Sequence, residues 1–409
     1  MRIKKAHLWA MGRITLAVVL LFVIFKYVIP LWDTVHLSDG TVLCGTFTNE
    51  TDGEIRVDTV DGQRVVLAED IAVDKKGQRR VARGFIPLLK EMAPRRYLVG
   101  LMMLAWIPLL AALRWRTLMK AQGIPMTYLR AVELTYLGLF CNNFMPGLTG
   151  GDVAKAYYAT KLTSTKKTSA VVTVFLDRLI GLVMMGWIAG AAVCVTLVFP
   201  VGPQSEKYIA AAWIIAGFMV CTLVGGIVFF SRRMRGYGVA ILQRIHFLKR
   251  LAEVALVEKA IHVVRRIDSA IFLYRNRKRA LFYAAIISLM AHSSAITGVF
   301  MFGRALHVST INLVNCFVVV PVAFMVSSIP VAPAGWGIGE MAFRAFFAAV
   351  GVAATAAVTI SVVYRLSQAL CTLPGGLIIM LQKDRPTFEE AGEEVQEDLR
   401  EAEDVIEAG

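Results

Sequence analysis

Asp152 and Glu340 are the residues in this chain best placed to do chemistry. Each is a carboxylate that ends a Pro- and Gly-rich break in an otherwise apolar stretch. The first break reads Asn142-Asn143-Phe144-Met145-Pro146-Gly147-Leu148-Thr149-Gly150-Gly151-Asp152. The second reads Ser327-Ser328-Ile329-Pro330-Val331-Ala332-Pro333-Ala334-Gly335-Trp336-Gly337-Ile338-Gly339-Glu340. Proline and clustered glycines stop a helix, and the Asn142 and Asn143 side chains can satisfy the backbone groups so freed. A carboxylate at the start of the returning half-helix sits where backbone N–H groups and the helix dipole favour negative charge. Downstream, Asp177-Arg178 and Tyr364-Arg365 place arginines inside apolar segments. Ionisable groups at membrane depth are costly and face protein or water. Two readings therefore stand: carboxylates and arginines that pair to hold the fold, or a polar path that meets a substrate. Asp177 and Arg178 could form a local pair. Arg365 has no adjacent acid, and Glu340 is its candidate partner. Glu133 and His292, also in apolar stretches, read as satisfied structural groups.

The spacing around the two breaks repeats. Arg116 lies 36 residues before Asp152, and Arg178 lies 26 after it. Arg304 lies 36 before Glu340, and Arg365 lies 25 after it. Residues 126–160 lie between cytoplasmic charges, so that hairpin enters and leaves on the inner side; residues 309–350 repeat the pattern from the outer side. Span, re-entrant hairpin, span, repeated upside down, is a transporter architecture with its site where the repeats meet.

The elements that must carry these groups are membrane helices. The chain has 409 residues, 57% hydrophobic and 18% charged, which excludes an ordinary soluble globule. Six apolar runs approach the roughly 20 residues that span a bilayer: 8–31, 97–117, 169–199, 208–231, 281–303 and 352–382. The net charge is +14, and ten acids against one base fall in residues 387–409. The basic excess before residue 387 reads as topology and contact with anionic lipid, not as nucleic-acid binding. Loop 232–280 alone carries thirteen bases and three acids. Positive-inside counting puts both termini in the cytoplasm, with the first run an uncleaved anchor in the inner (cytoplasmic) membrane.

The expected class is an all-α polytopic membrane protein with an inverted repeat, two re-entrant broken hairpins and a small extracytoplasmic β-rich insertion. Its parts are an anchor helix (1–32), an outer β module with an interfacial helix (33–94), a first membrane half (95–231), a basic amphipathic loop (232–280), a second membrane half (281–386) and an acidic tail (387–409). The outer module is predicted from Asp39-Gly40, Asp52-Gly53 and Asp61-Gly62, which punctuate short alternating runs in the manner of β-hairpins. The six cysteines are widely spaced with no CxxC, so neither a disulfide framework nor a metal site is expected. No cofactor is implied.

Arg114-Trp115-Arg116, the Asn-Asn-Phe-x-Pro-x-x-x-Gly-Gly-Asp run at 142–152, Leu176-Asp177-Arg178, the Gly-x-x-Glu break and Tyr364-Arg365-Leu366 fall in one order. Over roughly residues 95–382 they resemble the lysylphosphatidylglycerol synthase transmembrane-region family, also called flippase-like. The resemblance implies a membrane domain that moves a lipid between leaflets. In bifunctional members an attached synthase domain makes aminoacylated phosphatidylglycerol; no such domain follows residue 382, so lysyl transfer is not implied. The family's second break usually reads Pro-x-Ser-Pro-Gly-Gly-Leu-Gly-x-Arg-Glu. Ala332, Ala334, Trp336 and Gly339 here replace its Ser, Gly, Leu and Arg. The outer β insertion is not part of the family core.

Three functions follow. The first is a lipid translocator with a groove between inverted halves. Asn142, Asn143, Asp152, Asp177, Arg178, Glu340, Tyr364 and Arg365 would line or gate a polar path, an arginine attracting the phosphate. Its substrate would be an anionic, aminoacylated or glycosylated phospholipid. The second is a scaffold whose outer module or acidic tail meets a protein partner. The third, a membrane-embedded transferase or hydrolase, needs a clustered nucleophile, base or metal site. The six histidines are scattered, no HExxH occurs, and the one DxxD, Asp58-Thr59-Val60-Asp61, falls in the β-rich insertion, so the chain is read as not an enzyme.

Overall fold

The structure, a computed structural model, describes residues 29–51, 54–59, 62–73, 81–144, 150–198, 276–328 and 335–381, with Tyr274 and isolated positions between 15 and 26 and between 213 and 224. Most of the anchor 1–32, the run 208–231 and loop 232–280 lie outside the described residues, as do the tail 387–409 and the centres of both breaks, 145–149 and 329–334.

The β-rich insertion is an antiparallel sheet of β1 (Asp33–His36), β2 (Val42–Thr51), β3 (Glu54–Thr59), β4 (Gly62–Leu67) and β5 (Val81–Ala82), in the order β4-β3-β2-β1-β5. The predicted hairpins are present. Gly40 and Gly62 take φ of 90° and 116°, which only glycine adopts cheaply. Asp39 Oδ1 accepts the Thr41 N–H at 2.7 Å, and Thr41 holds the Asp39 carboxyl below its usual pKa. Alternation buries Val35, Leu43, Ile55, Val57, Val66 and Ile71 on one face. Asp33, buried, is the fastener: its two oxygens accept the N–H groups of Gly84 (2.6 Å) and Phe47 (2.9 Å).

A short helix α1 (Phe85–Lys90) leads to α2 (Pro94–Ala121). Then come α3 (Tyr128–Phe144), α4 (Gly150–Thr160), α5 (Lys167–Val198), α6 (Lys278–Ala305), α7 (Leu313–Ser327), α8 (Ile338–Ala349) and α9 (Ala354–Leu381). Among the described residues α2, α5, α6 and α9 are long and apolar enough to cross a membrane. They coincide with four of the six expected runs; the other two fall on residues not described. Helix α2 opens on Pro94, where a missing N–H costs nothing, and closes at Gly123 with φ of 70°.

The chain divides into two compact units, Met1–Leu104 with Val198–Tyr208 and Ala295–Leu370, and Ala105–Leu197 with Ile209–Ser294 and Cys371–Gly409. The first holds the β-sheet and the α7–α8 pair. There Val358 and Val362 pack with Ile29 and Phe85. The second holds the α3–α4 pair, around a core of Ala112, Trp115, Met119, Leu134, Ala159, Ala170 and Val174. Helices α3 and α4 cross at glycines: a Cβ on Gly151 would overlap the Gly138 carbonyl oxygen. Backbones this close leave no room for a side chain at the crossing.

Candidate functional site

At the first break Asn142 Oδ1 accepts the Gly151 N–H at 3.1 Å, satisfying an orphan donor in the first turn of α4. Asn143 does something else: its Nδ2 donates to Thr372 Oγ1 on α9 at 3.0 Å. Asp152 lies in the first turn of α4, where the dipole favours its charge. It forms an ion pair with Arg178 Nε. The Arg178 side chain is 53% exposed and that of Asp152 23%.

Asp177 does not pair with its neighbour Arg178, contrary to the local pair the sequence suggested. Successive residues on a helix diverge by about 100°, so they cannot face one another. Asp177 turns instead into the second unit and receives Arg114 from α2, Nε to Oδ1 at 2.7 Å and Nη2 to Oδ2 at 3.1 Å. Lys155 of α4 approaches Oδ2 at 3.4 Å. Arg114 Nη1 also donates to Ser288 Oγ at 2.8 Å. The Lys155 ammonium lies 4.1 Å from the centre of the Trp115 ring, which is fixed by a 3.1 Å hydrogen bond from Nε1 to Thr173 Oγ1. Arg114, Lys155, Asp177 and Ser288 are all buried.

At the second break Gly337, with φ of 83°, precedes α8. Glu340, three residues on, reaches back so that Oε2 accepts the Gly337 N–H at 2.5 Å, the carboxylate half of a capping box. Its other oxygen lies 2.7 Å from Arg365 Nε and accepts from Ser361 Oγ at 3.3 Å. The Glu340 side chain is fully buried and that of Arg365 is 11% exposed. The Arg365 guanidinium lies 5.6 Å from the Trp336 ring centre. It also fills the space that any side chain on Gly339 would need. The small residue at 339 is thus what admits Arg365. Tyr364 turns away from this pair and packs on Phe324, ring centres 4.9 Å apart.

Of the residues singled out from sequence, the structure joins Asp152 to Arg178 and Glu340 to Arg365, and splits Asp177 from Arg178. Glu133 is paired with Arg130 at 2.6 Å, a structural i,i+3 bridge. His292 Nε2 is buried and has no hydrogen-bond partner among the described residues, unlike the satisfied group expected. Sequence reasoning missed Lys155. The available signal was its position three residues after Asp152, on the same face of α4. Among the described residues no group of three His, Cys, Asp or Glu converges to hold a metal.

Comparison with known proteins places this geometry. Residues 81–375 match the family described as lysylphosphatidylglycerol synthase TM region. The matched segment takes in both breaks and excludes all but the last strand of the β-sheet. A UPF0104 membrane protein of Pyrococcus horikoshii is 25% identical over 304 residues, covering 72% of this chain and 89% of the relative. Another, from Methanothermobacter thermautotrophicus, is 21% identical over 306 residues, covering 72% and 86%. A third, from Methanocaldococcus jannaschii, is 28% identical over 96 residues, 23% of this chain and 29% of the relative. By the extent of the first match, this membrane protein belongs to the lysylphosphatidylglycerol synthase transmembrane-region family.

Proposed function

We propose that this protein is a flippase-like translocator that moves a polar-headgroup lipid between leaflets of the cytoplasmic membrane, with both termini in the cytoplasm. The observation that carries the reading is the pair of carboxylate–arginine couples, Asp152–Arg178 and Glu340–Arg365, each at the head of a helix that returns from a break. Water or protein must surround such groups at membrane depth, and a passing headgroup supplies the same polarity. Arg178, half exposed, is the arginine open to a lipid phosphate. Asp152 balances it when no lipid is bound and can then meet an amine, a proton or a counter-cation. Glu340 and Arg365, closed in, hold the second hairpin until they part. An anionic, aminoacylated or glycosylated phospholipid fits these groups; no nucleic acid or cofactor is required, and no covalent bond of the lipid is made or broken.

The test is leaflet exchange of a headgroup-labelled fluorescent phospholipid in vesicles containing the purified full chain. Asp152→Asn and Glu340→Gln should each abolish exchange while still inserting and purifying. Wild-type exchange in both variants would reduce the carboxylates to helix caps and remove the reading.

One observation favours a second reading, a scaffold or assembly factor. The edge strand β4 leaves Val65 and Leu67 exposed on the outer module, and an unpaired edge with apolar side chains is a docking strip for a protein partner. Loss of function on removing the outer sheet alone, with lipid exchange intact, would favour it.

A further inference from the structure

Among the described residues, the buried end of the first hairpin does not balance its charge. Arg114 and Lys155 share one carboxylate, Asp177, in a site closed to solvent. Arg114 is well satisfied, with three of its donors placed on Asp177 and Ser288, and a guanidinium does not give up its proton. Lys155 is loosely held. It has three N–H donors, and its partners are an Asp177 oxygen at 3.4 Å, already taken by Arg114, and the face of Trp115. Among the described residues the remaining neighbours do not supply the missing charge. Helix α3 presents the Gly138 backbone. Helix α6 brings Ser288 and His292 to the Arg114 side. On α5, Arg178 adds positive charge and is engaged by Asp152. Asp152 itself lies one turn before Lys155, on the same face of α4.

We propose that Lys155 exchanges a proton with water by way of Asp152, and that this proton gates lipid movement; the proposal rests on the translocator reading above. In the outward step the Nζ–H bond of Lys155 breaks, its electron pair stays on nitrogen, the proton bonds to a water between the two side chains, and that water gives one of its own protons to an Asp152 carboxylate oxygen. The neutral amine remains against Asp177, now balanced by Arg114 alone. Protonated Asp152 no longer balances Arg178, which is free to take a lipid phosphate. Asp152 then passes the proton to water at the exposed end of the pair. The reverse steps recharge Lys155 and close the couple. No oxidant, reductant or second substrate enters. Lysine suits this task because an ammonium on a flexible stem loses its proton readily when buried.

The experiment uses the full chain in vesicles with fluorescent headgroup-labelled phosphatidylglycerol, with exchange rates measured across pH. Wild type should change by up to about tenfold per pH unit on one limb of its profile. Lys155→Met and Lys155→Arg, fixed as neutral and as charged, should both give flat profiles. A readout free of transport is the 15Nζ spectrum of lysine-labelled protein in detergent. It should contain a neutral-amine signal that is missing from Lys155→Arg. Two results would overturn the proposal: a Lys155 signal that stays an ammonium wherever the protein is folded, or a wild-type pH profile in Lys155→Arg. Absence of exchange in wild type with the amine signal present would instead sink the translocator reading and the gating with it, leaving only a proton site.

Discussion

At the first break Asp152 and Arg178 hold each other with the arginine half exposed, whereas at the second Glu340 is fully enclosed and Arg365 nearly so. The spacing that relates the breaks also relates what lies beneath them. Three residues after Asp152 stands Lys155; three after Glu340 stands Phe343. Asp177 precedes Arg178 as Tyr364 precedes Arg365, and Arg114 precedes Arg116 by two residues as Phe302 precedes Arg304. The first hairpin thus rests on a buried ionic trio. At the second, Phe343 and Tyr364 meet through Phe324, with ring centres 6.0 and 4.9 Å away, and Phe302 packs on Tyr97 at 5.6 Å. The same couple is mounted once on charge and once on aromatic rings. The lesson is a division of labour. An aromatic bed fixes a buried pair without charge that can move, and an ionic bed offers groups that can change charge.

The comparison can be broken most severely at Asp177. Asp177→Asn leaves Arg114 and Lys155 buried without a counter-charge. Removing one partner of a buried pair costs about 3–5 kcal/mol, and here two cations lose the same partner. Little folded protein should survive extraction, read by fluorescence-detected size exclusion. Replacing the whole trio together, Arg114→Phe with Lys155→Phe and Asp177→Tyr, should recover much of that stability, since apolar groups often replace buried ions at no net cost. If the triple variant is no better than Asp177→Asn, the trio is not interchangeable with an aromatic bed.

The next effect concerns the couples themselves. Glu340→Gln keeps an acceptor for Gly337 but removes the buried carboxylate charge beside Arg365, at about 3–5 kcal/mol. Asp152→Asn should cost under about 1 kcal/mol, because Arg178 is already solvated. Thermal unfolding in detergent should separate the two clearly, and equal losses would erase the asymmetry. The smallest change is expected at Asp39→Ala in the β-sheet. The Asp39 pKa is lowered in the fold, so its contribution is present above the unfolded pKa and fades as pH falls through the folded one. Melting of wild type and variant should differ slightly at neutral pH and converge in acid.

The breaks, the carboxylates that end them and the Asp-Gly hairpins were legible because glycine, proline and alternation act locally. Glu340–Arg365 was legible because a buried arginine demands an acid and one was in reach. Asp177 misled, since adjacency in sequence is not adjacency on a helix. Lys155 passed unnoticed because a single lysine after a break looks like one more inner-face charge. Its burial depends on Trp115 and Asp177, supplied by other helices. The α3–α4 crossing was equally hidden: Gly138 and Gly151 meet only once the hairpin has closed.

The clasp at Asp33 bears on how the β-sheet could be detached. Asp33 belongs by sequence to the first strand, but half of its hydrogen bonding goes to Gly84, at the threshold of α1. A deletion that begins at residue 33 would remove the sheet and also unfasten the entry to the membrane helices. A cleaner seam lies just beyond: the Ala72 N–H donates to the His36 carbonyl at 2.8 Å, so those two backbones already touch. Joining His36 to Ala72 through a brief linker would excise the hairpins and spare both Asp33 and Gly84. Modularity here is a property of the seam chosen, and a loss of activity can be assigned to the sheet only when the cut respects it.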